Sequence, residues 1–445
     1  MPLCPPQLPP NIDSIINRPE YSRFHWGILV KSDTRTLYAH DAHKFFIPAS
    51  NAKLLTTAAA LQQLGANYRI RTSVYWRNGT LRVLGRGDPS LTDVQLQQLA
   101  KQLYRHGIRQ VKRLVADDSY FRGEIVNSSW EWGDLLADYG APVDSLILNE
   151  NTVSFQVVPQ AVGQPLRLVW KDPAEARFWR VVNDSQTGVV GESASVDVNR
   201  ELRDRVLRIT GKLSVDAAPK TIALAVVDPV AHFIRHFRTA LAREGISVAM
   251  LAVGGGGNDR ELATVESPPV SQLLFETNQN SNNLYAEVFL REIGAKNLQS
   301  AIHPTIDVGL SVLQKTLTSL GVDVTGYSLV DGSGLSRHNL VSPEALVQTL
   351  QAMAKSPAAA VFRATLPLAG RSGTLKSRFR STPAEGIVSA KTGTVSGIVS
   401  LSGYVNVPEQ PLVFSIIVNQ SDQSAQVMRQ AIDEIVVLLS QLRRC

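Results

Sequence analysis

A serine and a lysine one helical turn apart offer the first chemistry in this chain. Ser50 and Lys53 begin an alanine- and leucine-rich run that ends at Gly65. Residues i and i+3 share one helix face, so the hydroxyl and the amine point the same way. A serine becomes a nucleophile when a base lies within hydrogen-bond reach, and a lysine with a lowered pKa can be that base. An N-cap serine followed by a solvated lysine is the alternative explanation.

A second motif lies far along the chain, just before a predicted helix. Ser281 and Asn283 form a Ser-x-Asn pair. In a tight loop, alternate side chains project to the same side. The pair would then offer a hydroxyl for proton relay and an amide for a substrate carbonyl. Helix capping explains the same residues equally well, because serine and asparagine are preferred caps.

The third motif, Lys391-Thr392-Gly393, follows a strand-like segment. On an edge strand, Lys391 would supply a cation and Thr392 a hydroxyl for a substrate carboxylate. Gly393 would let a substrate backbone pair closely, since it has no side chain. A hairpin turn is the alternative.

The pattern of helices and strands predicts how these motifs are positioned. Residues 1–66 and 263–445 read as one α/β domain, which a β-rich insertion at 67–262 splits. The insertion shows short alternating runs with polar turns, and a glycine run at 254–257 signals a linker near its end. We expect a further portion, at about 155–225, to be nested within it. Helical patterns are predicted at 271–279, 284–293, 307–320, 343–354 and 425–442.

Composition excludes several classes of function. Of 445 residues, 45 are Lys or Arg and 39 are Asp or Glu, which gives a net charge of +6 without a basic run that would indicate nucleic-acid binding. No apolar stretch is long enough for a transmembrane helix. The N-terminus has no signal-peptide pattern, so the protein is either cytosolic or written here without a removed leader. Cys4 and Cys445 could be bridged or free.

Two histidines have the spacing of a metal-binding pair. His232 and His236 stand four residues apart on a predicted helix. The sequence around them lacks the glutamate of the HExxH arrangement and any evident third ligand. We therefore expect an ordinary helical pair and no metal.

Taken in order along the chain, the three motifs have a combined specificity that none has alone. Ser-x-x-Lys, Ser-Asp-Asn and Lys-Thr-Gly mark serine β-lactamases and penicillin-binding proteins, and here Asn282 replaces the Asp. The chain resembles the class C low-molecular-mass penicillin-binding proteins, the D-alanyl-D-alanine carboxypeptidases and endopeptidases with a large insertion between the first two motifs. The resemblance runs nearly end to end. It includes the segments GRGDPSLT (85–92), DGSGLSRHN (331–339), TLPLAGRSGTLKSRF (365–379) and SAKTGT (389–394).

The resemblance implies a role for each motif residue. Ser50 is expected to be the acylated nucleophile and Lys53 its general base. Ser281 would shuttle a proton and Asn283 would hold the substrate amide. Lys391, together with Thr392, would bind the terminal carboxylate.

Three further positions follow from the resemblance. The backbone N–H groups of Ser50 and Thr394 would form the oxyanion hole. Arg337 and Asp134 match the residues that contact a diaminopimelate-type side chain in some family members. The role of Ser396, which varies in the family, is not assigned.

The predicted fold is a serine β-lactamase/transpeptidase-like α/β (α+β) domain split by the β-rich insertion. The predicted function is a periplasmic or otherwise extracytoplasmic serine DD-peptidase. It would hydrolyse D-Ala-D-Ala ends or D-Ala–diaminopimelate crosslinks of peptidoglycan through an acyl-enzyme, without a cofactor, and would be acylated by β-lactam antibiotics such as penicillins. A β-lactamase or esterase on the same fold is one alternative. A non-catalytic peptidoglycan-binding scaffold is another, disfavoured by the intact Ser50, Lys53 and Lys391.

Overall fold

The computed structural model describes residues 3–33, 35–200, 205–257, 260–299, 302–408 and 410–443. The chain forms two compact units. The first unit comprises Met1–Ile70, Phe121–Ser129 and Pro268–Cys445, and the second comprises Arg71–Tyr120 and Trp130–Ser267. The chain therefore leaves the first unit twice and returns to it twice.

The short middle return differs from the sequence-based expectation. The insertion expected at 67–262 included Phe121–Ser129, which the structure assigns to the first unit. The Asn127 side-chain amide, for example, donates to the carbonyl of Val330 at 2.7 Å. Because such bonds join residues far apart in sequence, no local pattern marks this segment.

Ten α-helices occur in the described ranges. They are α1 (Leu8–Ile16), α2 (Ala52–Leu64), α3 (Asp93–Arg105), α4 (Pro229–Arg243), α5 (Val270–Gln279), α6 (Asn283–Lys296), α7 (Thr305–Ser319), α8 (Pro343–Lys355), α9 (Ala359–Ala364) and α10 (Ala425–Ser440). Within those ranges, none combines the length and apolar character needed to cross a bilayer.

Twenty strands occur in the same described ranges. They are β1 (His25–Ser32), β2 (Arg35–His40), β3 (Arg71–Arg77), β4 (Thr80–Leu84), β5 (Gln110–Asp117), β6 (Thr152–Val158), β7 (Arg167–Trp170), β8 (Arg180–Asn183), β9 (Gln186–Gly188), β10 (Asp197–Arg200), β11 (Val206–Thr210), β12 (Lys212–Ser214), β13 (Lys220–Ala225), β14 (Ser247–Val253), β15 (Arg260–Glu266), β16 (Tyr327–Ser328), β17 (Leu340–Val341), β18 (Val388–Val395), β19 (Ile398–Val405) and β20 (Leu412–Asn419).

The first unit is built on a five-stranded sheet with the order β18–β19–β20–β1–β2. All neighbours are antiparallel, and Gly27 of β1 is opposite Ile417 of β20. The N-terminal strands thus complete a sheet whose other strands come from the end of the chain. This pairing explains how segments from the two ends of the chain form one domain although the second unit lies between them in the sequence. It also leaves β18 at the sheet edge.

The N- and C-terminal helices pack on this sheet. Leu8 and Ile12 of α1 share one buried apolar cluster with Ile432 and Ile435 of α10 and with residues of the strands. The two ends of the chain also meet, since Leu3 N donates to the carbonyl of Gln441 at 3.0 Å. Burial of these apolar side chains stabilises the contact between the two terminal helices.

The cysteines lie at these same ends of the chain. Cys4 is disulfide-bonded. Cys445, the other cysteine of the sequence, lies outside the described residues.

Helix α2 is buried on every side. Each residue from Ala52 to Leu61 is inaccessible or nearly so, and α2 contacts α5, α6, α7 and α8. The fold thus surrounds residues 52–61 although Lys53, Thr56 and Thr57 are polar, and the alanines allow close approach of the neighbouring helices. The residues at its N-terminus are therefore held rigidly by the surrounding helices.

The second unit contains a mixed five-stranded sheet with the order β14–β5–β4–β3–β15. Helices α3 and α4 contribute to the apolar cluster of this sheet, so the expected β-rich insertion also has a helical layer. In α3, Leu96, Leu99 and Leu103 form an apolar stripe in an otherwise polar, glutamine-rich helix. Residues 254–257 connect β14 and β15, the two edges of one sheet, and so do not link two domains.

A separate apolar core occupies the middle of the second unit. It is formed by three small sheets, β13–β6–β7, β10–β11–β8 and β12–β9. Phe155, Leu207 and Ile209 are fully or almost fully buried in it. The portion expected at about 155–225 falls within the residues that build this core.

Candidate active site

Ser50 lies in a strained turn at the start of α2. It belongs to a 3₁₀ turn, Ala49–Asn51, and Ala49 before it has a positive φ of 48°. A Cβ on Gly334 would lie 1.9 Å from the carbonyl oxygen of Ala49, so only glycine fits beneath this turn. Backbone strain of this kind persists where the surrounding structure enforces it. Here it fixes the direction of the Ser50 side chain.

The Lys53 side chain is fully buried and reaches three oxygen atoms. Its Nζ lies 2.8 Å from Ser50 Oγ, 2.6 Å from Asn283 Oδ1 and 2.7 Å from the carbonyl oxygen of Ser333. The expected pair therefore forms. The alternative of a solvated lysine is excluded by the burial of the amine.

The protonation state of Lys53 follows from this burial. Desolvation lowers its pKa from 10.5 to about 7, although the charges of Asp331 and Glu287 oppose the shift. A neutral amine has two N–H groups and one lone pair. Asn283 Oδ1 and the Ser333 carbonyl accept the two N–H groups, so the lone pair is directed at the Ser50 hydroxyl. This arrangement is the one a general base requires.

In the second motif, Ser281, Asn282 and Asn283 have different contacts. Asn282 caps α6, since its side chain accepts from Tyr285 N at 3.3 Å. Ser281 has a positive φ of 58°, and this turn leaves Asn283 on the Lys53 side. Capping and site contacts, the two alternatives from the sequence, are thus both present on neighbouring residues.

Lys391 extends the site on edge strand β18. Its buried Nζ donates to Ser281 Oγ at 2.8 Å and to the carbonyl of Thr392 at 2.9 Å. Desolvation and, secondarily, the charge of Lys53 lower the pKa of Lys391 well below its ordinary value. Since Ser281 bonds Lys391 and Asn283 bonds Lys53, the structure brings all three motifs into one site.

Gly393 is required for a reason that differs from the one expected. A Cβ there would lie 2.2 Å from Ser400 Oγ and 2.8 Å from the carbonyl oxygen of Pro48. Ser400 donates to that Pro48 carbonyl and accepts from Asn51 Nδ2, which also donates to the Lys391 carbonyl. Close packing of β18 against the Ser50 turn therefore requires glycine here, and its expected role in pairing with a substrate backbone stays a prediction.

The hydroxyl groups of the motifs open into one cavity. Its volume is about 1070 Å³, and its lining includes Ser50, Ser281, Thr392 and Thr394. The guanidinium of Arg429, another lining residue, donates to Thr394 Oγ1 at 3.3 Å. The cavity thus combines a nucleophile, hydroxyl donors and a positive charge. Arg429 was not among the predicted site residues, because α10 contains no motif of the family.

Two buried carboxylates support the site from behind. Glu287 accepts from the backbone N–H groups of Gly332 and Ser333, at 2.9 and 2.8 Å. Asp331 accepts from the N–H of Gly334 at 2.7 Å. Burial, followed by the charge of Asp331, raises the pKa of Glu287. These bonds fix the loop whose Ser333 carbonyl contacts Lys53. Neither acid was among the predicted site residues, although Asp331 lies in the DGSGLSRHN segment.

The two residues expected to read the substrate side chain lie in different units. Arg337 belongs to the first unit and donates to the carbonyl of Ser396, just beyond β18, at 3.1 Å. Asp134 belongs to the second unit, in the turn Asp134–Leu136, where it accepts from Glu131 N. Their joint role stays a prediction.

Known proteins resemble this chain over nearly its full length. A D-alanyl-D-alanine carboxypeptidase from Actinomadura sp. (strain R39) is 36% identical, over 98% of this chain and 85% of that protein. A penicillin-sensitive carboxypeptidase A from Dictyostelium discoideum is 31% identical, over 93% of this chain and 87% of that protein.

A solved structure shows the same fold. Penicillin binding protein 4 from Haemophilus influenzae matches with a TM-score of 0.83, at 24% identity, over 96% of this chain and 98% of its own. Its complex with a β-lactam matches with a TM-score of 0.78, over the same share of both chains.

A family model also spans residues 8–442. The family and the fold class predicted from the three motifs are confirmed. The chain belongs to the D-Ala-D-Ala carboxypeptidase 3 (S13) family.

Proposed function

We propose that this protein is a serine DD-peptidase that cleaves the terminal D-Ala of peptidoglycan stem peptides through an acyl-enzyme on Ser50. One observation carries the proposal. Ser50 Oγ lies 2.8 Å from the Nζ of Lys53, a buried amine whose pKa is about 7. The similarity to a D-alanyl-D-alanine carboxypeptidase and a penicillin-sensitive carboxypeptidase supports the choice of substrate.

Acylation begins when the lone pair of Lys53 accepts the proton of the Ser50 hydroxyl. The oxygen forms a bond to the carbonyl carbon of the penultimate D-Ala, and the backbone N–H groups of Ser50 and Thr394 stabilise the oxyanion. The C–N bond then breaks. Ser281, hydrogen-bonded to Lys391, passes a proton to the departing amine. The proton that Lys53 took from Ser50 replaces it, so Lys53 is again neutral before deacylation. D-Ala leaves, and the peptide stays on Ser50 as an ester.

Deacylation reverses the proton movements. A water molecule loses a proton to Lys53 and attacks the ester carbonyl, the C–O bond breaks, and Ser50 regains its proton. A penicillin acylates Ser50 in the same way, but its opened ring keeps the leaving amine attached. Water is then hindered, which makes the adduct long-lived.

Substrate positioning uses the rest of the cavity. The Thr392 and Thr394 hydroxyls, with Lys391 and Arg429 behind them, would bind the terminal carboxylate. Asn283 would hold the amide of the substrate. Arg337 would recognise the free end of a diaminopimelate-type side chain.

The proposal includes a location outside the cytoplasm, because peptidoglycan lies there. Cleavage of D-Ala–diaminopimelate crosslinks uses the same chemistry with a bulkier leaving amine. Trimming is the activity named for the relatives, so we expect it to be the faster of the two.

Two assays test this function. We expect D-Ala release from a stem pentapeptide, slower cleavage of a crosslinked dimer, and a penicillin adduct that persists for minutes or longer. Rapid penicillin turnover without D-Ala release would indicate a β-lactamase or an esterase. Peptidoglycan binding without D-Ala release or an adduct would indicate a scaffold.

A further inference from the structure

A cluster of titratable groups in the second unit has no part in the reaction described above. His232 and His236 lie one turn apart on α4, and their ring centroids are 4.4 Å apart. Glu175, from the segment between β7 and β8, joins them, and one ligand atom from each residue lies within 4.8 Å of the other two. The sequence lacked a third ligand near the histidines, and the fold supplies one from about sixty residues upstream.

His232 is the unusual member of this cluster. It is 2% exposed, and among the described residues neither of its ring nitrogens has a hydrogen-bond partner. Its Nδ1 lies 3.6 Å from Glu175 Oε1. Burial, with the charge of His236, lowers the pKa of His232 to about 4, so the ring is neutral at pH 7. A buried neutral imidazole without hydrogen bonds is costly unless another group satisfies it.

His236 is oriented by a carboxylate on its far side. Its Nδ1 donates to Asp93 Oδ1 at 2.7 Å, which directs Nε2 towards Glu175 Oε1 at 3.2 Å. A carboxylate behind an imidazole is the arrangement that orients metal-binding histidines in proteins. The opposite nitrogen is then presented for coordination.

We propose that His232, His236 Nε2 and Glu175 bind a divalent transition-metal ion such as Zn²⁺. Two imidazoles, one carboxylate and a water molecule form a common tetrahedral set for zinc, with bonds of about 2.0–2.2 Å. The cavity lined by these residues has a volume of about 330 Å³, which leaves room for the ion and its water.

Two charges around the cluster affect this binding. Asp93 Oδ1 and Glu175 Oε1 lie 2.7 and 3.2 Å from the two nitrogens of the His236 ring, so an incoming ion must displace the hydrogen bond between Nε2 and Glu175. Arg235 Nη2 lies 3.5 Å from Glu175 Oε1 and competes for that carboxylate. A carboxylate has four lone pairs, so the guanidinium and the ion can share Glu175.

The ion would be structural. His232 and His236 extend from α4, a helix of the sheet's apolar cluster, whereas Glu175 belongs to the segment beside the separate middle core. A bond from both sides to one ion would join these two parts of the second unit. A ligand that binds only the folded state raises its stability.

Zn²⁺ titration of the untagged, chelator-treated chain tests the proposal. We expect one Zn²⁺ per chain by calorimetry and metal analysis, and a Tm that rises with Zn²⁺. His232→Ala and Glu175→Gln should each weaken binding by about tenfold or more. His106→Ala, at an exposed histidine of the same unit, should bind like the wild type.

Each outcome bears directly on the site. The circular dichroism spectrum and the thermal unfolding transition report whether a variant is folded, because acylation at Ser50 would report only on the first unit. Glu175→Gln preserves size if His232→Ala does not fold. Failure of the wild type to retain Zn²⁺, or equal affinity in folded wild type and Glu175→Gln, would overturn the proposal. Because penicillin acylation is read separately, loss of the zinc site is distinguishable from failure of the DD-peptidase assignment.

Discussion

The two units each bury a basic nitrogen, but they surround it differently. In the first unit, Lys53 Nζ has three oxygens within 2.8 Å. In the second, the ring nitrogens of His232 make no hydrogen bonds to described residues. Burial lowers the pKa of both groups, to about 7 and about 4. Lys53 already has all of its hydrogen bonds, so it is arranged to exchange a proton with Ser50. The His232 ring has none to described residues, so it is arranged to receive a ligand.

The carboxylates near Lys53 and those near the histidine pair also differ in what they contact. Glu287 and Asp331 are hydrogen-bonded to backbone N–H groups, and their charges raise the pKa of Lys53 against the effect of burial. Asp93 and Glu175 contact the His236 ring directly. Charge at a distance tunes a pKa without blocking the lone pair, which suits a catalytic base.

The largest expected effect is the loss of the Lys53 amine. Lys53→Met keeps the length of the side chain but removes the base. We expect the rate of penicillin acylation to fall by about 10²–10⁴. Stopped-flow measurement with a chromogenic β-lactam would give this rate. Lys53→Met also leaves the buried oxygens of Asn283 and Ser333 without their donor, so a thermal unfolding measurement must show that the variant is folded before its rate is interpreted.

A control for this variant exists in the same unit. Lys376 is exposed, so Lys376→Met should acylate at the wild-type rate. If Lys53→Met also acylated at the wild-type rate, Lys53 would not be the base.

The second expectation concerns pH. Because burial lowers the pKa of Lys53 to about 7, its neutral form increases as pH rises through that value. Acylation should therefore slow by about tenfold per pH unit below 7 and level off above it. Rates across the pH range, at constant ionic strength, would measure the midpoint. A midpoint near the ordinary lysine value of 10.5 would contradict the desolvated base.

A smaller effect should separate strain from steric conflict in the Ser50 turn. Gly334 and Gly321 have similar φ angles, of 80° and 85°, but only a Cβ on Gly334 meets another atom within 4 Å. Gly321→Ala should cost about 1–2 kcal/mol of unfolding free energy. Gly334→Ala should cost about 1–3 kcal/mol more and should also slow acylation, because it displaces Ala49. Equal losses in denaturant titrations would show that the Ser50 turn does not depend on this contact.

The smallest predicted effect is a shift in the pH dependence of acylation when the Glu287 charge is removed. The Glu287 carboxylate raises the pKa of Lys53, so Glu287→Gln should move the acylation midpoint to lower pH. The shift distinguishes tuning from a purely structural role, which would change the rate without moving the midpoint. Glu266→Gln, at an exposed acid of the second unit, should leave the midpoint unchanged.

Local patterns were sufficient for the framework of the first unit. The expected helix at 271–279 is Val270–Gln279, and the one at 343–354 is Pro343–Lys355. Such segments have clear periodicity and capping residues, as at Ser342, whose side chain accepts from Ala345 N. Helix α3 was not predicted, because its apolar stripe is narrow and lies in a polar, glutamine-rich segment between predicted strands.

The proximity of Ser50 and Lys53 was predictable, but the contacts that support them were not. Ser50 and Lys53 stand three residues apart, so their proximity follows from helix geometry. Asn51 donates a hydrogen bond to Ser400, and Glu175 lies beside His232 although it belongs to a distant segment. Contacts of that kind depend on how the sheets and loops close, which no local spacing encodes.

Intact-mass analysis after incubation with a penicillin tests most directly whether Ser50 is the acylated nucleophile. We expect one adduct per chain, located by peptide mapping at Ser50, absent from Ser50→Ala and retained by Ser22→Ala, a variant at an exposed serine of the same unit. An unmodified wild-type chain, or an adduct on any other residue, would show that Ser50 is not the nucleophile.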